Sequence, residues 1–199
     1  MSVSDVTLLL LCCMSFLLFA SLVINAIALP ANSRLTKQLQ HTESRLAVAS
    51  ASALDLMRAE WLRELPHIHY RNEIEVEIKF VYPLLRFLGY LPDDLRVRVN
   101  IGIQVGRQTA QTEADWILLR DNQPFAVVEA KAVSQNLTNE VLAQARSYAY
   151  GLGLDLYIVT NGRTLEIWSR GTQHDSRVVR LHVDELKEHW EQLRQIIGK

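Results

Sequence analysis

Phe125-Ala-Val-Val-Glu-Ala-Lys131 reads as an apolar β-strand whose end carries one carboxylate and one ammonium two residues apart. Strand side chains alternate faces, so Glu129 and Lys131 project to the same side of their sheet. Two charges on so apolar a run are costly to bury unless something pairs with them, such as a metal ion, a phosphate or another acid.

Upstream, Thr112-Glu-Ala-Asp-Trp-Ile-Leu-Leu119 has the same apolar character and contains Asp115. Between the two runs, Arg120-Asp-Asn-Gln-Pro124 is a polar turn of the kind that joins antiparallel strands. Folding this hairpin brings Asp115 beside Glu129, with Lys131 one pleat further along. Two carboxylates and a lysine on one face suit a hard divalent cation, which carboxylates hold together with waters and phosphate oxygens. Such a cation polarises a phosphodiester and lowers the pKa of bound water, while Lys131 orients or deprotonates the attacking water. As a bare pattern, Asp followed at a distance by Glu-x-Lys also occurs by chance as a solvated ion pair at a sheet edge.

The surrounding elements give the pair a context. Asn72 opens a helix, with Glu75 three residues on in capping-box spacing, and apolar residues from Val76 to Leu88 recur at helical spacing until Gly89. Glu75 is then structural. Glu77 lies on the stripe of Phe80, Val81, Leu84 and Leu88, where a carboxylate needs a reason to be.

Arg96 to Val105 alternates as a strand, and about Asn136 to Gly151 reads as a second helix. Leu156–Thr160 and Thr164–Trp168 are strands around the turn dipeptide Asn161-Gly162. Arg177–Val183 adds an edge strand, and Asp184–Ile197 a closing helix. A helix, three strands, a helix and two strands predict an α/β layer with a mixed sheet flanked by helices. Apolar residues on both faces of the central strands fit a sheet covered on both sides.

At 199 residues the chain has room for one domain and appendages, with 22% charged and 49% hydrophobic residues as in ordinary folded proteins. A formal net charge of -1 excludes a strongly basic, non-specific nucleic-acid binder, so any DNA contact must use a local patch or a partner subunit. Val6 to Leu29 is apolar apart from Thr7, Ser15, Ser21 and Asn25. As a helix it spans roughly 36 Å, enough for a transmembrane anchor. A cleaved signal ending at Ala26-Ile-Ala28 is the rival reading, but the residues before the run include no Lys or Arg.

Asp5 precedes the run and Arg34, Lys37 and Arg45 follow it, which predicts a single-pass protein with its N-terminus outside and its C-terminal domain in the cytoplasm. Cys12 and Cys13 are the only cysteines, so no Cys-based zinc site serves the rest. Ser33 to about Leu65 reads as a polar helical stalk. Its approximate heptad of Leu35, Leu39, Leu46, Ala49, Ala53 and Leu56 leaves a homodimeric coiled coil open. His67 and His69 sit in a presumed linker without a third ligand candidate nearby. The resulting layout is an anchor at 1–30, a stalk at 31–65 and a domain at 66–199.

Five blocks in order now carry a resemblance: Tyr82-Pro-Leu-Leu-Arg-Phe-Leu-Gly-Tyr90, Ala114-Asp115-Trp-Ile-Leu, Val128-Glu-Ala-Lys131, Gln144-Ala-Arg-Ser-Tyr148 and Val159-Thr-Asn-Gly162. Together they resemble the PD-(D/E)xK nucleases, and within them the N-terminal domain of type I restriction enzyme R subunits. The resemblance implies a restriction-endonuclease-like fold in which Asp115 and Glu129 ligate Mg²⁺, with Mn²⁺ able to substitute, and Lys131 is the catalytic lysine. It also implies a helix acid, placed at Glu77 with Glu73 as the alternative, and a Gln-x3-Tyr element at Gln144 and Tyr148 that supports the site or the DNA backbone.

Ala114 stands where the motif name has Pro. No Gly-x-x-x-x-Gly-Lys-Ser/Thr occurs, so the resemblance carries over no ATP-driven motor. The expected activity is Mg²⁺-dependent hydrolysis of DNA phosphodiesters by a membrane-anchored domain. RNA as the substrate and a catalytically silent module binding DNA or protein are the alternatives.

Overall fold

The computed structural model describes residues 33–105 and 108–199. Helix α1 (Ser33–Glu64) is the long helix expected over this stretch, and Leu39 and Leu56 of its heptad are exposed. A packed unit runs from Ala53 to Lys199 and so takes in the last turns of α1. There Leu62 and Leu65 are buried, and Arg163 donates to the carbonyls of Pro66 and Ile68, which docks the segment read as a linker. Among the described residues no helix is long and apolar enough to cross a membrane; the run Val6–Leu29 lies outside them.

Asn72 caps α2 (Glu73–Val76) by accepting from the Glu75 backbone N–H at 2.9 Å. The reciprocal half of the expected capping box is replaced, because the Glu75 carboxylate turns to the backbone N–H of Arg71 and to the Arg71 and Lys79 side chains. Those bonds, from Lys79 first and then Arg71, hold the Glu75 carboxyl down to about 2.

Continuous α-helix was expected up to Gly89, but Glu77–Val81 is a π-helical turn that leads into α3 (Tyr82–Phe87). Pro83 supplies the reason. It has no N–H for the carbonyl of Lys79 four residues back, and that carbonyl accepts from the indole of Trp61 at 3.3 Å instead. The Tyr82 N–H reaches the Glu77 carbonyl in the wider π geometry.

Gly89 ends the helix at φ 101, and a Cβ there would lie 3.0 Å from the backbone oxygen of Lys199. Gly89→Ala is therefore expected to cost at least about 1–2 kcal/mol in left-handed strain. Urea denaturation of the full chain would read this as a lower midpoint at unchanged slope.

Six strands form one sheet in the order of the chain: β1 (Leu95–Val105), β2 (Gln108–Arg120), β3 (Gln123–Ala130), β4 (Leu156–Thr160), β5 (Thr164–Ser169) and β6 (Ser176–His182). Only β3 and β4 run parallel, so the sheet is mixed as expected. A parallel pair needs a crossover, and α4 (Asn139–Gly151) supplies it. The helix begins three residues later than the sequence pattern suggested, since Thr138 is extended and its N–H closes a turn on the Asn136 carbonyl.

The expected β2–β3 hairpin has Asp121 and Asn122 at its tip, both at positive φ. Asx side chains tolerate that conformation. Beyond the two-residue turn a bulge at Phe125 shifts the register by one, from Leu119↔Pro124 to Leu118↔Ala126. The expected closing helix is also shorter: Val183–Glu185 is a 3-10 turn, and α5 (Trp190–Ile197) starts only after His189 leaves helical geometry.

Alternation along β3 divides the core. Ala126, Val128 and Ala130 join the larger cluster with Phe80, Leu84 and Leu193, whereas Val127 joins the smaller one with Tyr148 and Tyr157 beneath α4. Both faces of the sheet are covered, which is what the continuous apolar runs required.

Candidate functional site

The hairpin register pairs Trp116 with Val128 and, carried one residue on, sets Asp115 opposite Glu129. Both carboxylates are buried, at 5% and 1% exposure. Asp115 Oδ2 accepts from the Ala130 backbone N–H at 2.8 Å, so β3 itself orients this carboxylate. Lys131 Nζ bonds the Oε1 of Glu129, and its backbone N–H is fixed on the Thr160 carbonyl at 2.8 Å. The sequence-predicted Asp115, Glu129 and Lys131 therefore meet at one end of the β2–β3 pair.

Helix α2 and the π turn add the rest. Oxygen atoms of Glu73, Glu77 and Asp115 all lie within 4.8 Å of one another, a spacing that a single cation can bridge. Both helix acids weighed from the sequence are thus present together. Glu77 is buried, with its Oε2 accepting from the Trp116 indole N–H at 2.9 Å. Glu129 Oε2 is buried without a hydrogen-bond partner. A buried carboxylate oxygen left bare within reach of the charges of Asp115 and Glu73 fits a divalent cation through the chemistry of the donor set.

Electrostatics follow from this crowding. Burial, and then the charge of Asp115, push the Glu129 carboxyl up to about 7 against the pull of Lys131. Burial followed by Asp115 raises Glu77, and burial raises Asp115 despite its bond to Ala130. For Lys131, burial works against the ammonium, but its bond to Glu129 and the charges of Glu129, Glu73 and Asp115 outweigh it and raise its pKa. Several acids that resist ionisation beside a protonated lysine call for added positive charge.

Gln144 and Tyr148 lie at i and i+4 as the helix spacing implies, and they bond each other. Gln144 Nε2 donates to the Tyr148 hydroxyl at 2.7 Å, and that hydroxyl meets Thr112 Oγ1 at 2.9 Å. Tyr148 is buried, so this chain of bonds ties α4 to β2 three residues before Asp115.

Sequence reasoning missed two members. Trp116 orients Glu77, and Arg98 reaches three carboxylates: directly to Glu77, Asp115 Oδ1 at 3.4 Å and Glu113 Oε1 at 3.7 Å. Nothing in Arg96-Val-Arg-Val separates Arg98 from Arg96, because strand alternation puts both on one face. Arg98 has φ 55, a backbone turn that no side-chain pattern announces.

The model of the family described as type I restriction enzyme R protein N terminus matches residues 72–184. That span holds every carboxylate and the lysine of the cluster. Among solved structures, one similar chain is a fragment assigned to the HsdR subunit of a type I restriction enzyme from Vibrio vulnificus YJ016. It is 26% identical over 61% of this chain and 26% of that one, with a TM-score of 0.43. The present chain thus spans about a quarter of that chain's length. Another is the DrdV-DNA complex, at 18% identity over 73% of this chain and 99% of that chain, with a TM-score of 0.47. No curated protein matches. With more than half of its length inside the family match, this chain belongs to the type I restriction enzyme R protein N-terminus family and carries its restriction-endonuclease-like domain.

Proposed function

We propose that this domain is a divalent-metal-dependent endonuclease acting on DNA, with Mg²⁺ as the cation and Mn²⁺ as a substitute. The observation that carries this reading is the convergence of Glu73, Glu77 and Asp115 beside a Glu129 whose free oxygen has no other partner. A cation bound there supplies Lewis-acid polarisation of the phosphodiester and lowers the pKa of an attacking water.

Glu77 and Asp115 would hold the cation together with Glu129, and Glu73, whose oxygen converges with those of Glu77 and Asp115, would add a fourth carboxylate. Trp116 keeps Glu77 turned into the site, while the Ala130 N–H does the same for Asp115. Lys131, protonated and mostly buried, aligns the attacking water and steadies charge on the phosphoryl oxygens. The Gln144–Tyr148–Thr112 bonds brace the strand on which Asp115 sits.

The test is cleavage of supercoiled plasmid, single-stranded DNA and RNA by the full chain in detergent, with Mg²⁺, Mn²⁺ or EDTA. Nicking of plasmid that stops with EDTA is expected. RNA cut in preference to either DNA would change the substrate, and no cutting of any form would sink the enzymatic reading. A silent binding module is the second reading, favoured by Arg98 and Lys131 already standing on the carboxylates. It predicts DNA retention without nicking, unchanged by Lys131→Ala and Glu129→Ala.

Tethering to a membrane, with the domain on the cytoplasmic side, is supported by the apolar run Val6–Leu29 and by Arg34, Lys37 and Arg45 after it. The full chain is expected to stay in the membrane pellet through alkaline carbonate extraction. Release into the supernatant would count against the anchor.

A further inference from the structure

Arg98 sits where the carboxylates need a cation. The β1–β2 ladder passes from Val97↔Trp116 to Val99↔Ala114, and between them Arg98 takes a left-handed backbone with φ 55. A residue with a Cβ holds that conformation only against a cost, so something in its surroundings must sustain it. Its guanidinium supplies the reason. Its contacts include Glu77 and Asp115, two of the three acids whose oxygens converge within 4.8 Å.

The exposures of the partners differ in a telling way. Side chains of Glu77 and Asp115 are 5% and 7% exposed, whereas that of Arg98 is 43% exposed. Arg98 is thus the solvent-facing partner of the two ion pairs and has a route into water that the buried acids lack. Trp116 and the Ala130 N–H would still hold the two carboxylates in place after it left.

We infer that Arg98 is a tethered competitor of the metal: its guanidinium neutralises Glu77 and Asp115 in the empty site, and a divalent cation loads only by displacing it. This rests on the metal-site reading above and adds regulation of that site. Arg98 lowers the affinity for the cation and shields the acid cluster from its own repulsion until the cation arrives. Guanidinium and metal compete for the same carboxylates, since both draw on their negative charge and, as cations, repel each other at that distance.

The experiment is calorimetric titration of Mn²⁺ into the EDTA-stripped, dialysed full chain in detergent, comparing wild type with Arg98→Gln and Arg98→Lys. Arg98→Gln is expected to bind Mn²⁺ about tenfold more tightly or better, the scale on which loss of a competing charged contact registers. Its metal-free form should also melt lower and recover on adding Mn²⁺. Arg98→Lys keeps one charge without the planar fork, so its affinity should fall between the two, and it serves where the Gln variant does not fold. Equal or weaker Mn²⁺ binding in a cooperatively melting Arg98→Gln overturns the competitor role while leaving the metal site standing. Absence of binding heat in wild type and both variants overturns the metal site, and the competitor role with it.

Discussion

Lys131→Ala in the full chain is expected to reduce metal-dependent cleavage by about 10²–10⁴-fold, the range for losing a positioned proton-transfer or charge-stabilising group. The strand should survive the change, because the backbone N–H of Lys131 bonds the Thr160 carbonyl whatever the side chain. What is lost is the ammonium bonded to Glu129. Its removal takes away the main group opposing the rise of the Glu129 pKa, so in the metal-free site that carboxyl takes a proton more readily still. Asp115→Asn makes a matched comparison, since its amide oxygen can still accept from the Ala130 N–H while the charge disappears. Plasmid nicking assays beside thermal melts separate the outcomes. Near-wild-type cleavage by a cooperatively melting Lys131→Ala would remove Lys131 from the chemistry.

Metal-free protein should lose stability as pH rises from about 4.5 to 7. A carboxyl whose folded pKa lies above its unfolded value binds its proton more tightly in the folded state. Stability is then full below the unfolded pKa of 4.5 and is lost as pH climbs through the folded value of about 7 for Glu129. Glu77 and Asp115, also raised, act in the same direction. For Glu129 alone the loss is on the order of 3 kcal/mol from the size of its shift. Glu75 works the other way in a lower window, its contribution vanishing as pH falls from 4.5 towards about 2.

A divalent cation that binds only the folded state opposes the loss by mass action. Urea unfolding at pH 5 and pH 7.5, each with EDTA and with Mg²⁺, is the measurement. The expected result is a pH-dependent drop in EDTA that Mg²⁺ reduces. Equal stability at both pH values in EDTA would show that the carboxylates are not pressed together as the structure places them.

Much of this organisation was readable along the chain because local rules act there. The Asp121-Asn122 turn, the Asn72 cap, the Gly89 stop and the apolar runs of β2 and β3 each follow from short-range sterics and periodicity. Asp115 and Glu129 could be placed near each other because both lie a few residues from one tight turn, but the bulge at Phe125 that completes their pairing follows no local rule of the sequence. The pairing of β3 with β4 and the split of the closing helix were less readable, since they depend on contacts between distant segments.

By itself, then, the sequence determined a mixed sheet between helices and one hairpin carrying Asp115, Glu129 and Lys131, while the bulge at Phe125 that sets Asp115 opposite Glu129 was not legible in it. Tertiary structure alone decided the rest of the site. Pro83 releases a carbonyl to Trp61 in a π turn that begins at Glu77, and Glu73 joins Glu77 in the cluster instead of standing as its alternative. A left-handed Arg98 on a strand far from both then swings its guanidinium onto the acids. Periodicity tells which face a side chain occupies, but the convergence of charges from four segments is set by how those segments pack. Arg98 is held there by attraction to carboxylates that its own neighbours in sequence do not supply.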